Sequence, residues 1–253
     1  MAPHLFDCWA PISRRVRSAA SIRLFLDFDG TLVPFRATPQ EVTLDERTRR
    51  ALTRVLRHGR VRVAIVSGRR RGDLIERIHV QGVQYWGLYG WERRPGRTLP
   101  RNAARAVSSA RDQLIARLKG LRGVWVEDKE LGFSVHVPRA SSNIERRART
   151  IVRRALRPYG AALHMLPGYQ VWNVLPRQVA GKGVAVREAL RRTQASFLPI
   201  YVGDDATDEP AFGVLSRGIT VKVGTAPRTR ARYRVSDPDE VRAFLERLNG
   251  ELS

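Results

Sequence analysis

Several kinds of residue and segment are scarce in this 253-residue chain. It has a single cysteine, Cys8, which excludes an internal disulfide, and we expect this residue to be inert rather than a nucleophile. No apolar run is long enough to span a membrane, and the N-terminal stretch lacks the order of a signal peptide. These absences exclude a disulfide scaffold and an integral membrane protein, and they favour a cytoplasmic location.

Lysine is also scarce. Only four of the 46 basic residues are lysine, and the formal net charge is +22. Such a preference for arginine reflects genome composition as readily as selection for binding, although a positive field attracts anionic substrates and can hold nucleic acid nonspecifically. Neither zinc-finger spacing nor an RNP-like aromatic motif is present. We therefore expect an anionic substrate and no specific nucleic-acid partner.

The most informative segment is residues 27–32, DFDGTL, which directly follow an apolar run. Two carboxylates two residues apart, at the exit of a buried strand, can serve a metal ion and a phosphoryl group. We interpret Asp27 as a nucleophile that forms an aspartyl-phosphate, and Asp29 as the acid that protonates the leaving oxygen and later activates water. Gly30 lets the chain turn. An ordinary acidic turn after a strand is the alternative.

Three further segments support a phosphate site. Ser67 opens an SGR segment after a second apolar run, and its hydroxyl can hold a phosphate oxygen, although Ser-Gly is also common in turns. Lys182, in a GKG segment, can neutralise the nucleophile, with a solvated lysine at a helix start as the alternative. Residues 203–209, GDDATDE, follow a third apolar run and hold four acids. These acids repel one another unless a cation binds, and oxygen ligands suit Mg2+; an acidic helix start is the alternative.

The ordered set DFDGTL, SGR, GKG and GDDATDE resembles the haloacid dehalogenase-type (HAD) phosphatases, from about residue 22 to the C-terminus. The full form GDDATDE, the VEDK segment at residues 126–129 and His136 resemble, more narrowly, the trehalose-6-phosphate phosphatases. The resemblance implies a Mg2+-dependent enzyme that hydrolyses trehalose 6-phosphate to trehalose and phosphate, with a trehalose-phosphate synthase as a partner. The presence of Asp29 argues against a dehalogenase, because that reaction has no leaving oxygen that needs a proton.

The resemblance also assigns roles to individual residues. It implies as catalytic residues Asp27, Asp29 and Lys182. It implies that the phosphate is bound by Thr31, Ser67, Gly68 and Arg69. It implies a metal site made by Asp27, Asp29, Asp204, Asp205 and Asp208. It implies sugar contacts from Glu127, Lys129, His136 and Asn173.

One segment departs from the family pattern. Trehalose-6-phosphate phosphatases usually carry a Glu-x-Arg-Pro segment before the lysine motif, whereas residues 171–176 read VWNVLP, with Asn173 for Glu and Leu175 for Arg. A sugar hydroxyl would then meet an amide instead of a charged acceptor. A phosphatase for another sugar phosphate, of the sucrose or mannosylglycerate phosphate type, is therefore the first alternative. A nucleic-acid-binding protein with a phosphatase fold is the second.

Strand-like and helix-like patterns alternate along most of the chain, which indicates an α/β fold with a HAD-like Rossmannoid, mostly parallel sheet. We predict a discontinuous catalytic core over residues 22–100 and 178–250, an α+β cap domain over 101–177 and an N-terminal extension over 1–21. A doubled helix-strand-strand pattern in the cap predicts an antiparallel sheet with helices on one face. We expect it to close over the active site as a lid.

Local signals give further expectations. Residues 43–46 and 142–145 are typical of capping boxes that begin helices. Trp125, Phe133 and Trp172 are expected in the cap core rather than as sugar platforms. Because the carboxyl ends of parallel strands share one edge of a sheet, the catalytic motifs are expected to converge there.

Overall fold

The computed structural model describes residues 2–35, 42–138, 140–168, 170–191, 197–226 and 228–253. It divides into two compact units. Unit 1 comprises Met1–Pro95 and Ala180–Ser253, and unit 2 comprises Gly96–Val179. The predicted cap boundaries, residues 101 and 177, lie inside unit 2, and the predicted N-terminal extension lies inside unit 1. None of the helices in the described residues has both the length and the apolar character needed to cross a membrane.

The described residues of unit 1 contain six strands and six α-helices. Its strands are β1 (Ile22–Leu26), β2 (Val61–Val66), β3 (Gln84–Trp86), β8 (Leu198–Gly203), β9 (Ile219–Val223) and β10 (Tyr233–Val235). Its helices are α1 (Trp9–Ser18), α2 (Glu46–Arg57), α3 (Arg71–Ile78), α6 (Lys182–Arg191), α7 (Glu209–Val214) and α8 (Pro238–Leu252).

The six strands form one sheet in the order β10-β9-β8-β1-β2-β3, and every pairing is parallel. The chain runs from β1 outward through β2 and β3 in one direction, and from β8 outward through β9 and β10 in the other. The order therefore reverses between β1 and β8, which is where ligands bind in open parallel sheets. Leu26 lies beside Val202, so the residues that follow β1 and β8 emerge side by side.

Both faces of this sheet are covered, which explains why its strands are apolar almost throughout. On one face Leu24 and Leu26 belong to a large core with residues of α1, α2, α3 and α8. On the other face Phe25 packs with residues of α6 and α7, including Val186 and Phe212. The nucleophile candidate thus follows a strand that is fixed from both sides.

Unit 2 is an antiparallel sheet with helices on one face. Its helices are α4 (Arg101–Leu118) and α5 (Ser142–Leu156), and its strands are β4 (Trp125–Asp128), β5 (Phe133–His136), β6 (Leu163–Gly168) and β7 (Val171–Pro176). The sheet order is β4-β5-β7-β6. Phe133 and Trp172 pack in a core with α4 and α5, as predicted. Trp125 does not: it is 45% exposed, so its assignment to the core was wrong.

The two predicted capping boxes were each placed wrongly, by two residues and by one. Helix α2 is capped by Asp45, whose side chain accepts from the backbone N–H groups of Arg47 and Thr48. Helix α5 is capped by Ser141, whose hydroxyl accepts from the backbone N–H of Ile144. In both cases more than one polar residue near the helix start can serve as N-cap, and tertiary packing selects which one does.

Candidate active site

The predicted catalytic side chains of unit 1 meet at the carboxyl edge of the sheet. Asp27 follows β1, Ser67 follows β2 and Asp204 follows β8, while Lys182 is the first residue of α6. The Lys182 ammonium lies 2.8 Å from Asp27 Oδ2 and 2.8 Å from Asp208 Oδ1. Asp27 and Asp208, which are 181 positions apart in the sequence, therefore contact the same buried ammonium group.

Asp27 is 5% exposed, and its backbone N–H donates to Val202 O, which fixes it against β8. Burial raises the pKa of Asp27 well above its ordinary value, since a carboxylate loses solvation there; Lys182 opposes this, and the carboxylates of Asp208 and Asp204 add to it. Burial would lower the pKa of Lys182, but Asp208 and Asp27 together raise it above its ordinary value. Lys182 therefore stays protonated and is the main stabiliser of an ionised Asp27.

Asp208 is fully buried and accepts four hydrogen bonds. Its Oδ1 accepts from Lys182 Nζ at 2.8 Å and from the Tyr201 hydroxyl at 2.7 Å. Its Oδ2 accepts from the backbone N–H groups of Asp204 and Asp205 at 3.1 and 2.9 Å. A Cβ on Gly203 would lie 2.4 Å from the carboxyl carbon of Asp208, so this approach requires glycine. Asp208 therefore holds the acidic loop in shape as well as facing Lys182.

Asp204 is partly buried and lies against the turn that follows β1. The Thr31 hydroxyl donates to Asp204 Oδ1 at 3.1 Å. Gly30 has φ +78°, and a Cβ there would lie 2.3 Å from Asp204 Oδ2, so the turn excludes a larger residue on two grounds. Burial and the carboxylate of Asp208 raise the pKa of Asp204 to about 7, against the weaker opposing effect of Lys182.

Three acidic side chains are placed to share a cation. Asp27, Asp204 and Asp208 each offer an oxygen, and these oxygens all lie within 4.8 Å of one another. Lys182 contacts two of them, and Lys222 also acts electrostatically on Asp204, so three carboxylates face two ammonium groups in the described residues. The donor set is hard oxygen and carries excess negative charge, which fits a divalent cation such as Mg2+. The side chains of Asp29 and Asp205, also predicted for the metal, lie outside this group of three.

Asp29 is held by an arginine fork. Arg69 Nε lies 2.7 Å from Asp29 Oδ2, and Arg69 Nη2 lies 2.7 Å from Asp29 Oδ1. Arg69 Nη1 also donates to Asp73 in α3 at 3.0 Å. The backbone N–H of Arg69 donates to the Ser67 hydroxyl. Arg69, predicted as a phosphate ligand, thus positions Asp29 in this structure, and Ser67 and Gly68 begin the turn that brings it there.

Unit 2 carries the predicted sugar-contacting residues on the sheet face opposite its helices. Glu127 Oε2 lies 2.8 Å from His136 Nε2 and 3.7 Å from Lys129 Nζ, so these three side chains form one polar cluster. Asn173 is 4% exposed, and its Oδ1 accepts a hydrogen bond of 2.8 Å from the buried Ser134 hydroxyl. Ser134 pairs with both Glu127 and Asn173 in the sheet, which places the four predicted residues on one face.

Comparison with known proteins decides the family. A family model described as trehalose-phosphatase matches residues 25–239. The chain belongs to the trehalose-phosphatase family. It is 32% identical over 253 residues to the trehalose 6-phosphate phosphatase RA3 of Zea mays, covering 90% of this chain and 69% of that protein. It is 34% identical over 254 residues to the trehalose-phosphate phosphatase of Mycobacterium leprae, covering 91% of this chain and 58% of that protein.

Among solved structures, the C-terminal domain of a trehalose-6-phosphate phosphatase from C. albicans matches with a TM-score of 0.83 at 19% identity, covering 99% of this chain and 98% of that one. At this identity the match concerns the fold, and it confirms the predicted HAD-like sheet with its inserted α+β unit. The family membership confirms the predicted type of enzyme.

The site of this trehalose-phosphatase family member contains groups that sequence reasoning missed. Tyr201 gives no signal, because it lies inside the apolar run of β8 and acts only through its approach to Asp208. Asp73, the second partner of Arg69, is an ordinary acidic residue in the first turn of a helix. The exposed Trp125 could be separated from the buried Trp172 only by knowing which of their strands lies at the sheet edge.

Proposed function

We propose that this protein hydrolyses trehalose 6-phosphate to trehalose and phosphate, with the chemistry carried out in unit 1 through an aspartyl-phosphate. The observation that carries the proposal is the buried contact of Lys182 with both Asp27 and Asp208, at the switch point of a parallel sheet, in a trehalose-phosphatase family member. A side chain that only stabilises a fold rarely holds two buried carboxylates against one ammonium, because the desolvation cost is high.

The first half-reaction begins with attack of an Asp27 carboxylate oxygen on phosphorus. A bond forms between that oxygen and phosphorus, and the bond from phosphorus to the sugar oxygen breaks. Asp29 donates its proton to the departing sugar oxygen, so the sugar leaves as a neutral alcohol. Lys182 stabilises the ionised form of Asp27 before attack and remains beside it.

The second half-reaction removes the phosphoryl group from Asp27. Asp29, now ionised, takes a proton from water while the water oxygen bonds to phosphorus; the bond between phosphorus and the Asp27 oxygen breaks, so phosphate leaves and Asp27 is again a carboxylate. Arg69 holds the ionised Asp29 that this second step requires, through its contact with both carboxylate oxygens. Thr31 and Ser67 supply hydroxyl groups for the phosphate oxygens.

We further propose that the site takes Mg2+. Asp27 and Asp204 would hold the ion, with the backbone carbonyl of Asp29 as a third ligand and with Asp208 and Asp205 shaping the loop behind it. Mg2+ would supply positive charge that offsets the carboxylates and the phosphoryl oxygens. The excess of buried carboxylates over lysines in this cluster supports this proposal.

Sugar recognition is assigned to Glu127, Lys129, His136 and Asn173 in unit 2. The carboxylate of Glu127 accepts from His136, so both are oriented before a ligand arrives. Asn173 is engaged by Ser134 and offers an amide in place of the usual glutamate. A different sugar phosphate, of the sucrose type, is the second candidate, because this residue departs from the family pattern.

Phosphate release from a panel of sugar phosphates tests the proposal. Among trehalose 6-phosphate, sucrose 6-phosphate and glucose 6-phosphate, we expect trehalose 6-phosphate to give the highest kcat/KM. We also expect that excess EDTA abolishes the activity and that added Mg2+ restores it. Asp27→Asn, prepared in parallel, controls for contaminating phosphatases and should be inactive. A higher kcat/KM for another sugar phosphate would contradict the substrate, and undiminished activity in EDTA would contradict the metal.

A further inference from the structure

Trp125 is unusual among the tryptophans of this chain. All five lie in the described residues, and Trp125 is the one that is exposed, at 45%, whereas Trp86, Trp91 and Trp172 are buried. It is the first residue of β4, and β4 is an edge strand of the unit 2 sheet. An exposed indole at a sheet edge contributes little to the packing of the unit 2 core.

The indole of Trp125 is held in a fixed orientation. It is stacked on the His136 imidazole, with ring centroids 5.0 Å apart and an angle of 10° between the planes. The two residues are direct partners in the β4–β5 pairing. His136 is in turn held by Glu127 at 2.8 Å. Since β5 lies on one side of the edge strand β4, the indole face turned away from His136 has no strand of this sheet beside it.

Polar side chains lie beside the indole ring of Trp125. Trp125 and Glu127 are two residues apart in β4 and therefore point to the same sheet face, where Lys129 and His136 also lie. Glu127 accepts hydrogen bonds, Lys129 donates them, and His136 can do either. A flat apolar surface beside donors and acceptors matches a pyranose ring, which has C–H groups on its face and hydroxyl groups around its rim.

We propose that Trp125 is a specificity-determining residue that stacks on a hexopyranose ring of the substrate and so favours a disaccharide phosphate over a small phosphate monoester. This inference rests on the proposed function, because it concerns the sugar part of the same substrate. The indole covers the C–H face of the ring, while Glu127, Lys129 and His136 bond the hydroxyl groups at its rim. Trp125 takes no part in the transfer of the phosphoryl group.

The test compares Trp125→Ala and Trp125→Phe with a matched control, Ile115→Ala. Ile115 is a 51% exposed apolar residue on α4 of the same unit, so its truncation removes a similar kind of surface. Each variant is assayed with trehalose 6-phosphate and with p-nitrophenyl phosphate, which has no sugar. Circular dichroism checks that each variant is folded.

We expect Trp125→Ala to raise KM for trehalose 6-phosphate about tenfold, the scale of one lost aromatic contact, with kcat nearly unchanged. Trp125→Phe should retain most of the affinity, and Ile115→Ala should behave like the unchanged protein. Kinetics with p-nitrophenyl phosphate should not move in any variant. Unchanged KM in Trp125→Ala would overturn the inference. So would equal losses with both substrates, which would indicate a structural role.

A binding measurement separates this inference from the proposed function. If p-nitrophenyl phosphate is hydrolysed and trehalose 6-phosphate is not, the proposed function fails, and the panel identifies the sugar phosphate on which the same variants are then compared. Tryptophan fluorescence titrated with free trehalose, or with the sugar of that substrate, gives an independent readout. We expect a saturable change that is lost in Trp125→Phe. The same change in both proteins would overturn the role of Trp125.

Discussion

At the scale of single residues, the site depends on how one ammonium is shared. Lys182 contacts both Asp27 and Asp208, and the second contact fixes the first, because Asp208 is itself anchored by Tyr201 and by two backbone N–H groups. A lysine bound only to Asp27 could follow that carboxylate during attack. In the proposed mechanism, the contact with Asp208 would keep the ammonium in place when Asp27 becomes an acyl phosphate.

The hydroxyl of Tyr201 provides a direct test of this arrangement. Tyr201→Phe removes a donor to a buried carboxylate, and we expect it to lower the free energy of unfolding by about 1.5–3 kcal/mol, the scale of hydrogen bonds to charged groups. We expect kcat to fall as well, by about tenfold, since Lys182 then shifts toward Asp208. Steady-state kinetics and urea unfolding measure the two effects.

Tyr85→Phe is the matched control for that substitution. The Tyr85 hydroxyl is also engaged, donating to Val80 O at 2.8 Å, but it lies away from the catalytic cluster. This hydroxyl also accepts from the Val80 backbone N–H at 3.1 Å, so its loss leaves a buried donor and acceptor without their partner and should cost about 1–3 kcal/mol of stability, with kcat unchanged. An unaltered kcat in Tyr201→Phe would show that Asp208 needs no help from Tyr201.

The division of labour between the two carboxylates of the DFDGTL segment can be trapped chemically. With p-nitrophenyl phosphate the leaving group needs no proton, so Asp29→Asn should still permit attack by Asp27 while hydrolysis of the acyl phosphate becomes slow. We expect intact-mass measurement after rapid quenching to show one added phosphoryl group. Asp27→Asn should show none. An unlabelled Asp29→Asn variant that still binds metal would contradict the roles given to both residues.

At the scale of elements, the sequence predicted well wherever a structure is set locally. Three of the four catalytic motifs follow apolar runs that became strands of the parallel sheet, so the convergence of Asp27, Ser67 and Asp204 could be foreseen. Helix α1 was missed although Ile12 and Val16 are spaced by one turn and are buried. Strand β10, three residues long, has too little pattern to be found and exists through its pairing with β9.

What could not be predicted depends on contacts between distant segments. The fork of Arg69 on Asp29 joins residues 40 positions apart, and nothing near Arg69 distinguishes it from the other arginines of the chain. Strand β3 ends at Trp86 because the next residues make a short helical turn in which Leu88 and Tyr89 have positive φ. Such conformations are rare for these residue types and leave no sequence signal.

The start of helix α2 gives a prediction at this scale. Asp45 caps the helix and also accepts from the Thr48 hydroxyl, whereas Thr43 is exposed and precedes the cap. We expect Asp45→Ala to lower the free energy of unfolding by about 1 kcal/mol, the usual cost of losing an N-cap. Thr43→Ala should be neutral. Urea unfolding measures both variants. If Thr43→Ala lowered the free energy of unfolding as much as Asp45→Ala, this would favour Thr43 as the cap, as expected from the sequence.

At the scale of the whole molecule, the buried acidic cluster should make stability depend on pH and on metal. The pKa of Asp204 is raised by burial to about 7 from an ordinary value of 3.8. Between these values the folded state binds a proton that the unfolded state has lost, so the free energy of unfolding falls as pH rises through this window. Asp27, with its pKa raised by burial, acts in the same direction. His164 acts in the opposite direction, since burial lowers its pKa below 6.5.

We therefore expect the melting temperature of the EDTA-treated protein to fall between pH 5 and pH 8. Mg2+ should raise it more at pH 8 than at pH 5, because a cation that binds only the folded, ionised cluster stabilises that state. In Asp204→Asn the melting temperature should change less between pH 5 and pH 8, and Mg2+ should raise it less. If added Mg2+ did not change the melting temperature at pH 8, this would argue against a metal site in this cluster.

The position of unit 2 within the sequence also has a consequence for the order in which the protein is made. Strands β8, β9 and β10 are synthesised after the whole of unit 2. Strand β1 lies between β2 and β8 in the sheet, so it can pair on both sides only after β8 has been made. On a ribosome Asp27 therefore emerges 155 residues before Lys182, whose ammonium contacts it in the folded protein. Unit 2, which is continuous in sequence, has all of its strands available first. In a nascent chain the contact between Asp27 and Lys182 therefore cannot form until all of unit 2 has been synthesised.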